Sequence, residues 1–187
     1  MNDTRTKILD VAEDLIQRVG LNAMSYQHIS DAVGIRKASI HHHFPKKENL
    51  IDALLRRCQV AYGENYLTIV ESSASAPEKL RQLAGVFEEG LKNRKLCLVG
   101  TISADLNTLG KESRLILEDT IQKTVDVFSV AFLQGVAEGT LACPCKVEDT
   151  AYAFFTFLLG TQIAARAHGG TSAFQRATES LICCWAR

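Results

Sequence analysis

The sequence predicts an all-α fold in two parts: an N-terminal three-helix helix-turn-helix domain and a C-terminal helical ligand-binding and dimerisation domain. Apolar residues recur at three- and four-residue spacing along most of the chain, which is the repeat of one helix face. The strict apolar–polar alternation of a half-buried strand is weak everywhere. The 12 Gly and 3 Pro do not cluster into a linker, and several stand where a periodic segment ends.

The first helix is expected over about Thr4 to Val19, with Ile8, Ala12, Leu15, Ile16 and Val19 on one stripe and Gly20 as its stop. Ser25 is placed to cap a second helix, Tyr26 to Val33, because its hydroxyl accepts from a free N–H of the first turn. Ile29, Ala32 and Val33 are expected to face the first helix. Gly34 makes a tight turn, Ile35 plugs the core, and a third helix covers Lys37 to His43 with Ile40 and Phe44 inward. Pro45 ends it. A long fourth helix follows from Lys47 to about Ser72, with a stripe of Leu50, Leu54, Cys58, Ala61, Asn65 and Ile69. SSASAP, residues 72–77, is the clearest break. Helix five is expected over Glu78 to Arg94, then one or two short pieces from Cys97 to Leu109. Gly110 precedes a long helix over Glu112 to Glu138. Gly139 and the CPC run, residues 143–145, form a loop. The last two helices, Val147 to Ala167 and Ser172 to Ala186, are split by Gly169 and Gly170. The DNA-reading part is expected over residues 1–47 and the ligand-binding and dimerisation part over 48–187.

Hydrophobic residues make up 47% of the chain and charged residues 22%, enough for a core and too apolar for disorder. The 21 basic and 21 acidic residues cancel, which argues against coating of nucleic acid or membrane by bulk charge. A local patch exists nonetheless: Arg36, Lys37, Lys46, Lys47, Arg56 and Arg57 face only Glu48 and Asp52 in that segment. No secretory signal and no run of 18 apolar residues is visible, so a cytoplasmic protein with no membrane partner is expected, its six cysteines as thiols.

Residues 25–50 outline a helix, a tight turn and a cationic helix that fits the major groove. The expected DNA contacts are Ser25, Tyr26, Arg36, Lys37, Ser39, His41, His42, Lys46 and Lys47. Arg36 and Lys37 reach guanine or phosphate. Ser39, His41 and His42 lie further along the outward faces, and Lys46 and Lys47 hold phosphates at the groove edge. The helix starts at Ser25 and Lys37 add backbone N–H donors. Three consecutive histidines, His41 to His43, point about 100° apart and cannot converge on one ion, so no metal or other cofactor is expected. The spacings of Cys143 with Cys145 and of Cys183 with Cys184 are too short for a zinc site.

ILDVAEDLIQRVG, Ser25, ISDAVGI and KASIHHHFPKKENL, in this order, resemble the TetR/AcrR family of transcriptional repressors. The last piece is similar to the family's recognition helix followed by Phe44, Lys47, Glu48 and Leu50. The resemblance implies a repressor acting as a homodimer on a double-stranded DNA operator. Two positions depart from it. Arg36 stands where the family has a small hydroxyl cap, and His41 stands where it often has a phosphate-binding tyrosine. CLVGTISADLNTLGKESRLIL also resembles a sub-pattern in which a cysteine of this region senses electrophiles. That implies an alternative, a thiol-based electrophile- or redox-sensing repressor using Cys97, whose thiolate Arg94 and Lys95 would favour. Burial as a small hydrophobe is the plainer reading of a free cysteine.

The remainder holds seven of the eight Phe and the only Trp. Phe87, Leu91, Cys97, Ile102, Leu106, Phe128 and Phe132 are expected to line a cavity for a small apolar effector, with Tyr62, Tyr66, Asp105 and Asn107 as polar anchors. Plain core packing would use the same residues. The last two helices are apolar around too much of their circumference for a lone surface. Phe154, Phe157, Leu158, Gly160, Ala164, Leu181 and Ile182 are expected at a two-fold dimer interface, alongside Phe155, Leu159 and Ile163, which places two recognition helices on successive major grooves of a near-palindromic operator. No nucleophile elbow, HExxH, phosphate loop or Cys-x-x-Cys is present, so an enzyme is not expected. A helical interaction module that never touches DNA is the other rival.

Overall fold

The computed structural model describes residues 2–143 and 145–187. Pro144, within the expected CPC loop, lies outside them. Among the described residues the secondary structure is helical: α1 (Asn2–Val19), α2 (Tyr26–Val33), α3 (Lys37–His43), α4 (Lys47–Glu71), α5 (Ala76–Lys92), α6 (Leu98–Ala104), a 3-10 turn (Leu106–Thr108), α7 (Lys111–Glu138), α8 (Val147–Ala167) and α9 (Gly170–Trp185). A single bridge pairs Leu141 with Ala186. The all-α expectation holds, and α2, α3 and α8 have the expected bounds. No described helix is long and apolar enough to cross a membrane.

Two compact units divide the chain. The first comprises residues 1–60 and 98–120, the second 61–97 and 121–187. Packing therefore does not divide the chain at residue 47: α6, the 3-10 turn and the first part of α7 belong with α1 to α3.

In the first unit Ile8, Leu9, Ala12 and Ile16 of α1 are buried together with Ile29 of α2, Ile40 of α3 and Leu50, Leu54 and Leu55 of α4. Val19 and Ala32 differ from expectation and are exposed, and Ile35 and Val33 are only half-buried. Val19 is the last residue of α1 and has no turn beyond it to pack against. Gly34 holds φ +74°, a left-handed conformation that lets its N–H reach the Ser30 carbonyl and close α2. Arg57 of α4 donates to Asp10 and Glu13 of α1, and Ser113 of α7 donates to Asp52 of α4.

In the second unit α5, α8 and α9 pack on one another. The α4 stripe shifts phase here. Tyr66 and Val70 are buried, whereas the expected Ala61 and Asn65 are exposed. Phe128 is the hub of an aromatic cluster, 5.2 Å from Tyr66 and 6.0 Å from both Phe154 and Phe155 between ring centres. Phe132, Phe154 and Trp185 form a second triangle. Edge-to-face pairs of this kind add about 0.5–1.5 kcal/mol each beyond burial. The Lys79 ammonium is buried and donates to the Val70 carbonyl and the Gln134 side chain. Gly135 admits no side chain, since a Cβ there would lie 2.4 Å from Leu141.

Candidate nucleic-acid interface

The sequence builds α3 as a seven-residue helix with one buried residue, Ile40, and everything else free to face out. Arg36, Lys37, His41, His42 and Lys46 are exposed and Ser39 is half-exposed. Arg36 occupies the N-cap with extended backbone and makes no side-chain cap bond, so its guanidinium is not used to close the helix. The Lys46 N–H donates to the Asn49 side chain, a reach-back from the first turn of α4 that leaves the Lys46 ammonium outward. Ser25 caps α2 as expected, accepting from the His28 N–H at 3.3 Å.

Two of the expected contacts, Tyr26 and Lys47, are placed differently. Tyr26 is only 8% exposed, and its hydroxyl donates to the Phe44 carbonyl at 2.9 Å. It is a strut between the start of α2 and the end of α3, not an outward DNA contact. Burial pushes its phenol up to about 12. Lys47 is half-buried, and its Nζ donates to the carbonyls of Leu21 and Met24 at 2.8 and 3.0 Å. It staples the α1–α2 turn from below. Burial draws this ammonium below the usual lysine range, and the Asp105 carboxylate opposes that shift. His41 has a hydrogen-bonding role already assigned to one nitrogen. Nδ1 stands 3.4 Å from the Pro45 carbonyl, while the ring itself is exposed as expected.

Sequence reasoning missed Arg5. Its guanidinium lies 5.1 Å over the Phe44 ring and brings an α1 cation to the end of α3. Nothing in the helical spacing of α1 signals this.

The expected effector residues do not form one group. Tyr66, Phe87 and Phe128 are buried and joined through Phe155, a residue expected at the dimer face. Phe132 is buried in the neighbouring triangle, Leu91 is buried near the end of α5, and Tyr62 is half-buried with its ring 6.3 Å from Tyr66. Ile102 is buried in the first unit, and Leu106 and Asn107 are exposed there. Asp105 is a correction: its carboxylate accepts from the Asn22 N–H and side-chain amide, at 3.2 and 2.7 Å, on the α1–α2 turn. Cys97 is half-buried, and its N–H donates to Gln162 of α8, whose amide also donates to the Phe87 carbonyl. Among the expected dimer residues, Phe154, Leu158 and Ile182 are buried within the protomer, Phe157 and Leu181 are half-buried, and Gly160 and Ala164 are exposed.

A short cationic helix, set by a glycine turn on a second helix and backed by a third, defines a helix-turn-helix DNA-binding protein. Residues 8–54 match the family model described as bacterial regulatory proteins, tetR family. The HTH-type transcriptional repressor KstR2 of Mycobacterium tuberculosis is 28% identical over 140 residues, covering 74% of this chain and 70% of that protein. KstR2 of Rhodococcus jostii is 34% identical over 87 residues, 46% of this chain and 43% of that one. The crystal structure of a TetR-family transcriptional regulator from Agrobacterium tumefaciens superposes with a TM-score of 0.94 at 26% identity, covering 100% of this chain and 99% of that one. The family-model match, the KstR2 repressors and the regulator structure together support a TetR-family transcriptional regulator.

Proposed function

We propose that the protein is a repressor that binds a near-palindromic operator as a homodimer and leaves it when a small apolar effector binds the C-terminal part. The carrying observation is α3, whose only buried side chain is Ile40 and whose exposed residues include Arg36, Lys37, His41 and His42. Arg36 and Lys37 at its start are the base-edge or near-phosphate contacts, and Lys46 and Arg5 hold the backbone on either side. The expected division at residue 47 is retained in a functional sense: residues up to the start of α4 read DNA, and the rest senses and dimerises. α4 carries the chain without a break from Lys47 to Tyr62 and Tyr66 and is the lever between the two tasks. Effector release requires the two head spacings to differ in effector affinity.

Dimerisation uses the outward stripe of α8, Tyr152, Leu159, Gly160 and Ile163, in place of the buried Phe154 and Leu158. The effector site is assigned to the Tyr66, Phe87, Phe128 and Phe155 cluster, which is apolar apart from the Tyr66 hydroxyl. The test is selection of duplexes from a random pool by the full-length protein, followed by binding of Arg36→Ala and Lys37→Ala. A selected site with two inverted half-sites, and loss of preference at the same base position in both halves for one of these variants, supports the reading. Recovery of no enriched duplex at low salt ends it.

A further inference from the structure

We infer that Asp105 is a positioning residue for DNA recognition: from the α6 side it fixes the α1–α2 turn and, through that turn, the entry angle of α2 and α3. The inference rests on the DNA reading above and concerns how that surface is held. The turn runs from Gly20, at φ +95°, to the Ser25 cap. It is gripped on two sides. Lys47 takes its carbonyls at Leu21 and Met24. Asp105 takes the Asn22 N–H and the Asn22 amide with one carboxylate oxygen each. Lys47 and Asp105 also attract one another. Asp105 is the hydrogen-bond partner that reaches this turn from beyond α4, whereas α1 and α4 are tied by Arg57 as well.

Two facts make the grip matter for recognition. Helices of eight and seven residues are too short to hold an orientation by themselves, so α2 and α3 take theirs from packing and from their ends. The ends are the Ser25 cap, which follows directly on this turn, and the Tyr26 strut to Phe44. The charge of Asp105 has the opposite sign to one selected for phosphate binding. By long-range electrostatics alone, a carboxylate in the DNA-reading unit weakens association, and its removal strengthens it. The positioning role therefore predicts the opposite sign from the electrostatic one.

The experiment uses the full-length protein and the duplex that the wild type selects from a random pool, with affinity read by fluorescence anisotropy. Asp105→Ala weakens binding by about tenfold, the scale of losing one bonded pair to a charged group, and Asn22→Ala, which keeps the backbone N–H donor, weakens it less. The double variant is no weaker than Asp105→Ala alone, because Asn22→Ala removes only the side-chain half of the interaction that Asp105→Ala removes entirely. Asp105→Asn keeps one acceptor and recovers part of the loss. Glu112→Gln removes the same charge from an exposed pair with Arg56 in the same unit, away from the turn, and binds as tightly as the wild type or tighter. Amide exchange across residues 22–26 speeds up about tenfold in Asp105→Ala, while exchange in the buried part of α1 is unchanged. Asp105→Ala binding as tightly as Glu112→Gln, additive single losses, or unaltered exchange at residues 22–26 would overturn the inference. If the wild type selects no duplex, the DNA reading has failed separately, and the exchange result alone then decides whether Asp105 holds the turn.

Discussion

Replacing Lys47 with methionine separates two roles that a lysine beside a DNA-reading helix can have. Methionine keeps the length and the apolar stem and removes only the ammonium. That ammonium spends two of its three donors on the Leu21 and Met24 carbonyls. Bonds to a charged group contribute about 1.5–3 kcal/mol each in favourable cases. Here the group is half-exposed, and its desolvation offsets part of the gain, so a combined loss of about 1–2 kcal/mol is expected. For a chain of this length each kcal/mol moves the melting temperature by about 2–4 °C, giving a drop of about 3–6 °C at fixed protein concentration. A phosphate contact has a different signature: its loss reduces the slope of log affinity against log salt by about 0.9. Lys47→Met is expected to lower the melting temperature and to leave that slope within about half a unit of the wild type. The assay is calorimetry together with anisotropy titrations at four or more salt concentrations. A slope reduced by about one with an unchanged melting temperature would refute the staple and restore the phosphate role.

Tyr26→Phe removes the donor to Phe44 and should cost about 1 kcal/mol at neutral pH. Because burial raises the folded phenol from 10.0 to about 12, the unfolded tyrosine ionises first. The stability that Tyr26 contributes is whole below pH 10 and is lost as pH rises towards 12, so denaturation curves of the two proteins should converge and then cross, a change of about 2 kcal/mol; curves that stay parallel to alkaline pH remove the strut. Ile163, 56% exposed on α8, should dissociate the dimer when changed to Glu, since a two-fold contact places two such charges in one apolar patch, and sedimentation showing an unchanged dimer would move the interface elsewhere. A Cys97→Ser protein treated with N-ethylmaleimide should stay on DNA if Cys97 senses electrophiles, and equal release of both proteins would dismiss the thiol alternative.

Local rules reached most of the first unit. A hydroxyl before a helix, a glycine after it and one buried isoleucine suffice to bound α2 and α3, because caps act within a turn of chain. They failed where partners are distant in sequence. Lys47 and Tyr26 look outward in a helical projection, and the acceptors that turn them inward lie 26, 23 and 18 residues away. Asp105 is expected as a pocket anchor, yet its partner Asn22 is 83 residues back. α4 shows a failure of another kind. Its stripe steps by four from Leu50 through Cys58 to Tyr66 and Val70, and a three-residue step assumed after Cys58 put Ala61 and Asn65 inside. A stripe crossing from one packing unit to the next need not keep its phase, since each unit sets its own contact direction.

The dimer face shows how far a count of apolar residues can go. α8 leaves apolar Tyr152 and Ile163 exposed outside the protomer core. The residues named from that count came from both sides of the helix. At about 100° per residue, Phe154 and Ile163, nine positions apart, point in opposite directions and cannot meet the same partner. Ala151, Phe154, Phe155, Leu158, Gln162 and Ala165 fall within about 100° of each other, and all are buried in the protomer. Tyr152, Thr156, Leu159, Gly160 and Ile163 fall within a second arc of about 100°, exposed or half-exposed. On α9 the same geometry separates buried Phe174, Thr178 and Ile182 from exposed Ser180, Cys183 and Cys184. Two arcs on one helix ask for two partners. The inner arc has its own chain, and the outer one, centred on Ile163 and Thr156 with a glycine at its edge, suits a second copy related by a two-fold axis.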